Sequence, residues 1–141
     1  MATWKTFEDI DAWQKARVLT RDVYAVTSNG VAAKDFGLRD QIQRSAVSVM
    51  SNIAEGFGRG GNREFSQFLH VARASLAELK SQLYVMLDVN YMEQETFNSL
   101  YQQASQIEVR INGLIKHLRS SDIRGAKFEV REPEELEFAQ P

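Results

Sequence analysis

From Thr6 to Arg119 apolar residues recur at steps of three and four, and nowhere do they alternate in the period of two that marks a strand. Four helices follow from that spacing. The first is expected to open at Thr6, whose hydroxyl can cap while Asp9 stands three residues on. Its inner face carries Ile10, Trp13, Ala16, Val23 and Thr27, and Asn29-Gly30 ends it. The second is expected over roughly Leu38 to Glu55, with Gly56 as a left-handed terminator, because a residue without a Cβ takes that conformation freely. The third starts near Asn62, aligns Phe65, Phe68, Leu69, Ala72, Leu76, Leu79, Leu83 and Met86, and stops around Asn90. The fourth runs from about Glu93 to Arg119 with Leu100, Ala104, Ile107, Ile111, Leu114 and Leu118 inward. Amphipathic helices with short connections predict an all-α, antiparallel up-down four-helix bundle over residues 1–119.

Two helices are more apolar than one bundle requires. The second carries Leu38, Ile42, Ala46, Val49 and Ile53 on one stripe and Val47, Met50 and Ala54 on another. Behind the main stripe of the third lie Val71, Ala74, Val85 and Val89, with Glu78 and Gln82 among them. A carboxylate and an amide within an apolar seam resemble the polar positions that fix register between packed helices. These faces predict self-association, since exposed apolar patches mark interfaces.

The last segment breaks the pattern. Both prolines, Pro133 and Pro141, fall within it, and Phe128, Leu136 and Phe138 stand isolated among acidic residues. Residues 120–141 are expected to form a largely disordered acidic tail, or an arm that docks on a partner. Three basic residues against six acidic ones give that tail a charge of -3, so the net -2 of the chain conceals a body at +1. Bulk charge therefore argues neither for nor against a polyanion partner. The absence of cysteine removes disulfides, thiolate nucleophiles and cysteine metal sites. No apolar run reaches the roughly 20 residues that span a bilayer, and the N-terminus lacks the apolar core of a signal peptide. A cytoplasmic location with no membrane partner is the expectation.

The stretch Gln41–Leu69 concentrates the candidate chemistry. Gly56-Phe57-Gly58-Arg59-Gly60-Gly61 satisfies G-x-G-x-x-G, but the dinucleotide fingerprint needs a preceding strand in a βαβ unit, and a helix precedes this one. What survives is an anion site: the free N–H groups at the start of the third helix, flanked by Arg59 and Arg63. Di-iron bundles need Glu-x-x-His pairs, whereas Gln67 and Leu114 stand three residues before His70 and His117. No serine is placed beside a histidine and an orienting acid. No catalytic residue, metal site or cofactor is expected, and the protein reads as non-enzymatic. Ser48, Asn52 and Glu55 share one side of the second helix with Arg44. Such groups need partners when buried, and Arg73, Ser75 and Glu78 on the third helix are the candidates for a structural polar network.

Several blocks carry a family resemblance. Phe7-Glu8-Asp9-Ile10 with Trp13-Gln14-Lys15-Ala16, Gln41-Ile42 with Arg44, and Ala46-Val47-Ser48 begin it. Ser51-Asn52-Ile53-Ala54-Glu55-Gly56 with Arg59, Glu64-Phe65 with Phe68-Leu69, and Ser75-Leu76-Ala77-Glu78-Leu79 continue it. Over Phe7 to Leu118 the chain resembles the bacterial four-helix-bundle proteins encoded in intervening sequences of large-subunit ribosomal RNA genes, and their free-standing relatives. The resemblance implies a ring-like homopentamer and RNA or DNA as the suspected partner. Similar bundles serve as accessory factors in diversity-generating retroelements, beside a reverse transcriptase. Met50 stands where that family often has proline, and Ala74 where it often has glycine, placing a methyl group at an expected close helix contact. The acidic tail is particular to this chain and would compete with nucleic acid for its basic residues. Two functional expectations follow. One is an oligomer that binds RNA or DNA by repeating Arg59, Arg63 and Arg73 around the assembly. The other is a protein-interaction scaffold or accessory factor without nucleic-acid contact.

Overall fold

In the computed structural model, which describes residues 2–120 together with Arg131 and Glu132, the apolar periodicity becomes four helices. They are α1 (Asp11–Thr27), α2 (Phe36–Gly58), α3 (Asn62–Asp88) and α4 (Gln94–Ser120). Each packs on its neighbours in chain order, and α4 returns to α1, so the bundle is antiparallel and up-down. Polar contacts fix the register of the pairs. Gln43 Nε2 donates to Thr27 Oγ1 at 2.9 Å between α2 and α1, and Arg110 Nε meets Asp11 Oδ2 at 3.1 Å between α4 and α1. The core is built from the predicted stripes, with Ile42, Val49, Ile53, Phe65, Leu69, Leu79, Leu83, Met86, Ile107 and Ile111 fully buried. Trp4, outside any periodic segment, adds to it by packing edge-on against Phe57.

The helix ends depart from expectation in two places. Thr6 does not open α1: it precedes a single 3₁₀ turn, Phe7–Asp9, after which Ile10 is extended and α1 begins at Asp11. The Asp9 carboxylate accepts the Lys5 and Thr6 backbone N–H groups at 2.8 and 3.1 Å. Those two bonds, the Lys5 one foremost, hold its pKa below the ordinary carboxylate range. A lowered folded pKa stabilises the fold above the unfolded pKa and is lost as pH falls through the folded one. An NMR titration of the Asp9 carboxyl is therefore expected to show a midpoint below that of a free aspartate, and Asp9→Asn to remove that share of the acid sensitivity.

Gly56 is not a terminator. Helix α2 continues to Gly58, and the left-handed residue is Gly60, at φ +86°. Gly56 lies buried where α2 crosses α3: a Cβ there would stand 2.7 Å from Phe68 Cβ and 3.0 Å from Phe65 Cδ1. The chain turns four residues later because closeness to α3, not backbone freedom, is what glycine supplies at position 56.

At the other end, Asn90 is left-handed at φ +64° and closes α3, while Asp35 caps α2 by accepting from Leu38 N at 3.2 Å. Asp35 also accepts from Tyr91 Oη at 3.0 Å, which joins the two loops at that end and raises the Tyr91 pKa. Met50 occupies the interior of α2 and packs against the core, whereas Ala74 is exposed on α3 and not at a close contact within the bundle. The expectation for the acidic tail falls outside the described residues, apart from Ser120 at the end of α4 and a two-residue antiparallel pairing of Ala2–Thr3 with Arg131–Glu132.

Candidate functional site

Two places on the bundle gather unpaired polar chemistry, and both involve α3. The first lies between α2 and α3. Ser48 and Ser75 share a hydrogen bond of 2.7 Å across the helices, and Asn52 Nδ2 donates to Ser48 O and Oγ at 2.8 and 3.0 Å. Above this link opens a cleft of about 510 Å³ lined by Gly37, Asp40, Gln41, Arg44, Ser45, Ser48, Glu78 and Gln82. Neither Arg44 nor Glu78 forms an ion pair among the described residues, and Gln82 Oε1 is buried without a hydrogen-bond partner. Of the predicted network, Ser48, Asn52 and Ser75 are brought together, Arg44 and Glu78 both line the cleft, and Glu55 is elsewhere. Glu55 binds Arg59 one turn on, Oε2 to Nη2 at 2.7 Å, on the exposed side of α2. The i, i+4 spacing of that pair was visible in the sequence.

The second place is the seam between α3 and α4. On α3, positions 63, 70, 73, 77, 80 and 84 follow at steps of three, four and seven, which sets them on one face. On α4, positions 101, 105, 108, 112, 116 and 119 do the same. Side-chain contacts lock the two faces in register. Tyr84 meets Tyr101 at 5.8 Å between ring centroids, Lys80 Nζ donates to Glu108 Oε1 at 2.7 Å, and Arg73 Nη1 donates to Asn112 Oδ1 at 2.8 Å. Asn62 Nδ2 donates to Leu118 O at 3.3 Å and closes the ladder. Beyond the Arg73–Asn112 rung, Arg63, Lys116 and Arg119 are exposed and form no ion pair among the described residues.

The three predicted arginines are therefore separated. Arg59 is spoken for by Glu55 and by the Phe68 ring, 5.0 Å from its guanidinium carbon. Arg73 lies on the α4 side of α3, where its Nη2 also donates to His70 Nδ1 at 2.8 Å. Arg63, exposed like Arg59, is the one of the three that has no ion pair or hydrogen bond among the described residues. At the start of α3, where an anion site is expected, Gly61 is the N-cap without a side-chain cap hydrogen bond, and Glu64 Oε1 lies 2.7 Å from where a Gly61 Cβ would stand. Sequence reasoning missed Lys116 and Arg119, whose steps of four and three from Asn112 were the available signal.

Among the described residues no helix is long and apolar enough to cross a membrane, and no group of three or more His, Cys, Asp or Glu residues is placed to hold a metal ion. No curated protein matches the sequence. The fold is similar to the crystal structure of a protein of unknown function from the S23 ribosomal protein family of Bacteroides thetaiotaomicron. That likeness has a TM-score of 0.69 at 22% identity, over 74% of this chain and 98% of the other. The model of the 23S rRNA-intervening sequence protein family matches residues 8–113, which include α1, α2, α3 and most of α4 with the α2–α3 cleft, while Lys116 and Arg119 of the second place lie beyond the matched segment. By that match the chain belongs to the 23S rRNA-intervening sequence protein family.

Proposed function

We propose that this protein is a non-enzymatic helical bundle that assembles with copies of itself and binds RNA or DNA through basic residues repeated around the assembly. The observation that carries the binding half is the exposed group Arg63, Lys116 and Arg119, three cations without ion partners among the described residues at one end of one seam. A single such group offers few phosphate contacts, and repetition around a ring multiplies them.

Two exposed apolar sides support the assembly half. Val71 and Val85, exposed by 49% and 44%, lie on α3 around the cleft residues Glu78 and Gln82, and Val89, exposed by 47%, is its C-cap. Val47, exposed by 37%, lies on the opposite flank of α2, since Gln43 four residues before it bonds to α1. Two different patches suit a head-to-tail contact, in which one copy's α2 flank meets the next copy's α3 flank, and such contacts close into rings. The ring of five implied by the family resemblance fits that geometry.

Binding of a structured RNA at low salt is the expected result, weakening steadily as salt rises and weakened further by Arg63→Gln with Lys116→Gln. The acidic tail competes for the same cations, so its removal strengthens the complex. No binding at low salt, even with the tail removed, overturns the nucleic-acid reading and leaves a protein-interaction scaffold.

A further inference from the structure

We infer that the α3–α4 seam is a platform for single-stranded nucleic acid, with an unpaired base stacked on Tyr84 and the backbone running toward Arg63, Lys116 and Arg119; this rests on the nucleic-acid reading above. The seam has an aromatic end and a cationic end. Tyr84 is 50% exposed, yet its ring is held by Phe97 at 4.8 Å and Tyr101 at 5.8 Å. A tyrosine fixed by two aromatic neighbours presents its free face to solvent at little cost in side-chain freedom.

Lys80 marks the inner border of this cluster, its Nζ 4.9 Å from the Tyr101 ring centre while it binds Glu108. Towards the start of α3 the next rung is Arg73 with Asn112, and the unpaired cations follow. Tyr84 and Arg63 are 21 positions apart in the chain, about 32 Å along a helix. A strand of several nucleotides covers that distance.

The arrangement selects a strand over a duplex. Stacking needs an exposed base face, which pairing and stacking hide inside a duplex, while phosphate contacts alone would leave Tyr84 without a role. It also selects a strand over an acidic peptide, which would use the cations but has no ring to stack.

The test is fluorescence anisotropy at low salt on the full chain. The probes are a labelled unstructured RNA of about 12 nucleotides, within the range such platforms cover, its DNA equivalent, the same RNA annealed into a duplex, and poly-glutamate. The single strands are expected to bind about tenfold more tightly than the duplex, and an RNA–DNA difference identifies contact with the 2′-hydroxyl. Tyr84→Leu is expected to weaken strand binding about tenfold, Tyr84→Trp to restore it, and Tyr24→Leu on α1, exposed by 41%, to change nothing. Circular dichroism confirms that each variant is folded. Equal affinity for strand and duplex, with Tyr84→Leu matching the unmodified protein, overturns the platform while nucleic-acid binding stands. Poly-glutamate binding as tightly as the strand overturns it in favour of an acidic partner. Binding of none of the probes removes both readings.

Discussion

Gly56→Ala is expected to destabilise the protein while Gly58→Ala, two residues on in the same helix, stabilises it. Alanine is the better helix former by about 0.8–1 kcal/mol, so propensity alone predicts a gain at both positions. Space decides otherwise at Gly56. Its added methyl would meet Phe68 Cβ at 2.7 Å, Phe65 Cδ1 at 3.0 Å and the Phe65 carbonyl oxygen at 3.3 Å. Phe65 is fully buried, and the carbonyl belongs to the backbone of α3, so neither can swing aside. Forcing an extra carbon into such a contact costs about 1–3 kcal/mol or more, enough to exceed the propensity gain. At Gly58 nothing lies within 4 Å, and the propensity gain remains. Thermal melts at one protein concentration are expected to move several degrees down for the first variant and a few degrees up for the second. Shifts of the same sign would show that α2 and α3 do not meet at Gly56 as described.

Glutamates at Val71 and Val85 are expected to dismantle the proposed assembly without unfolding the subunit. Both valines are close to half exposed on the α3 flank, so the isolated bundle tolerates the change. In a head-to-tail contact each valine would lose about 1.5 kcal/mol or more of burial, and each glutamate would add the cost of an unpaired charge at the interface. Every 1.4 kcal/mol is a factor of ten in association, so the double substitution weakens it by more than a hundredfold. The measurement is the mass in solution beside the helical circular dichroism. Val18→Glu on α1, also exposed at 41%, is the control and is expected to leave the mass unchanged. A double variant that stays assembled would remove the α3 flank from the interface.

The helices and the core were legible in the sequence because both follow from spacing within a single element. Four stripes at steps of three and four gave four helices with ends close to those observed, and the buried residues are mostly those stripes. What was not legible depends on where one element lands on another. Gly56 reads as a stop signal until Phe65 and Phe68 of α3 are placed against it. Trp4 lies before the first periodic segment, and only the position of Phe57 shows it to be core. The candidate site shifted for the same reason. Arg59 and Arg63 are four residues apart in the chain, but Glu55 and Phe68 hold Arg59 on the α2 side, while the ladder from Tyr84–Tyr101 to Asn62–Leu118 brings Lys116 and Arg119 toward Arg63. That cross-seam register is a tertiary property, set by contacts among Lys80, Glu108, Arg73 and Asn112 that no local pattern specifies.

Assembly is the claim on which the proposed function turns, since one copy offers too few free cations to hold a polyanion at moderate salt. Light scattering on the unmodified chain at micromolar concentration measures it most directly. A mass several times the 16.1 kDa of the single chain is expected, with five copies as the value the family resemblance implies. A mass of 16.1 kDa, unchanged as the protein is concentrated, would contradict it.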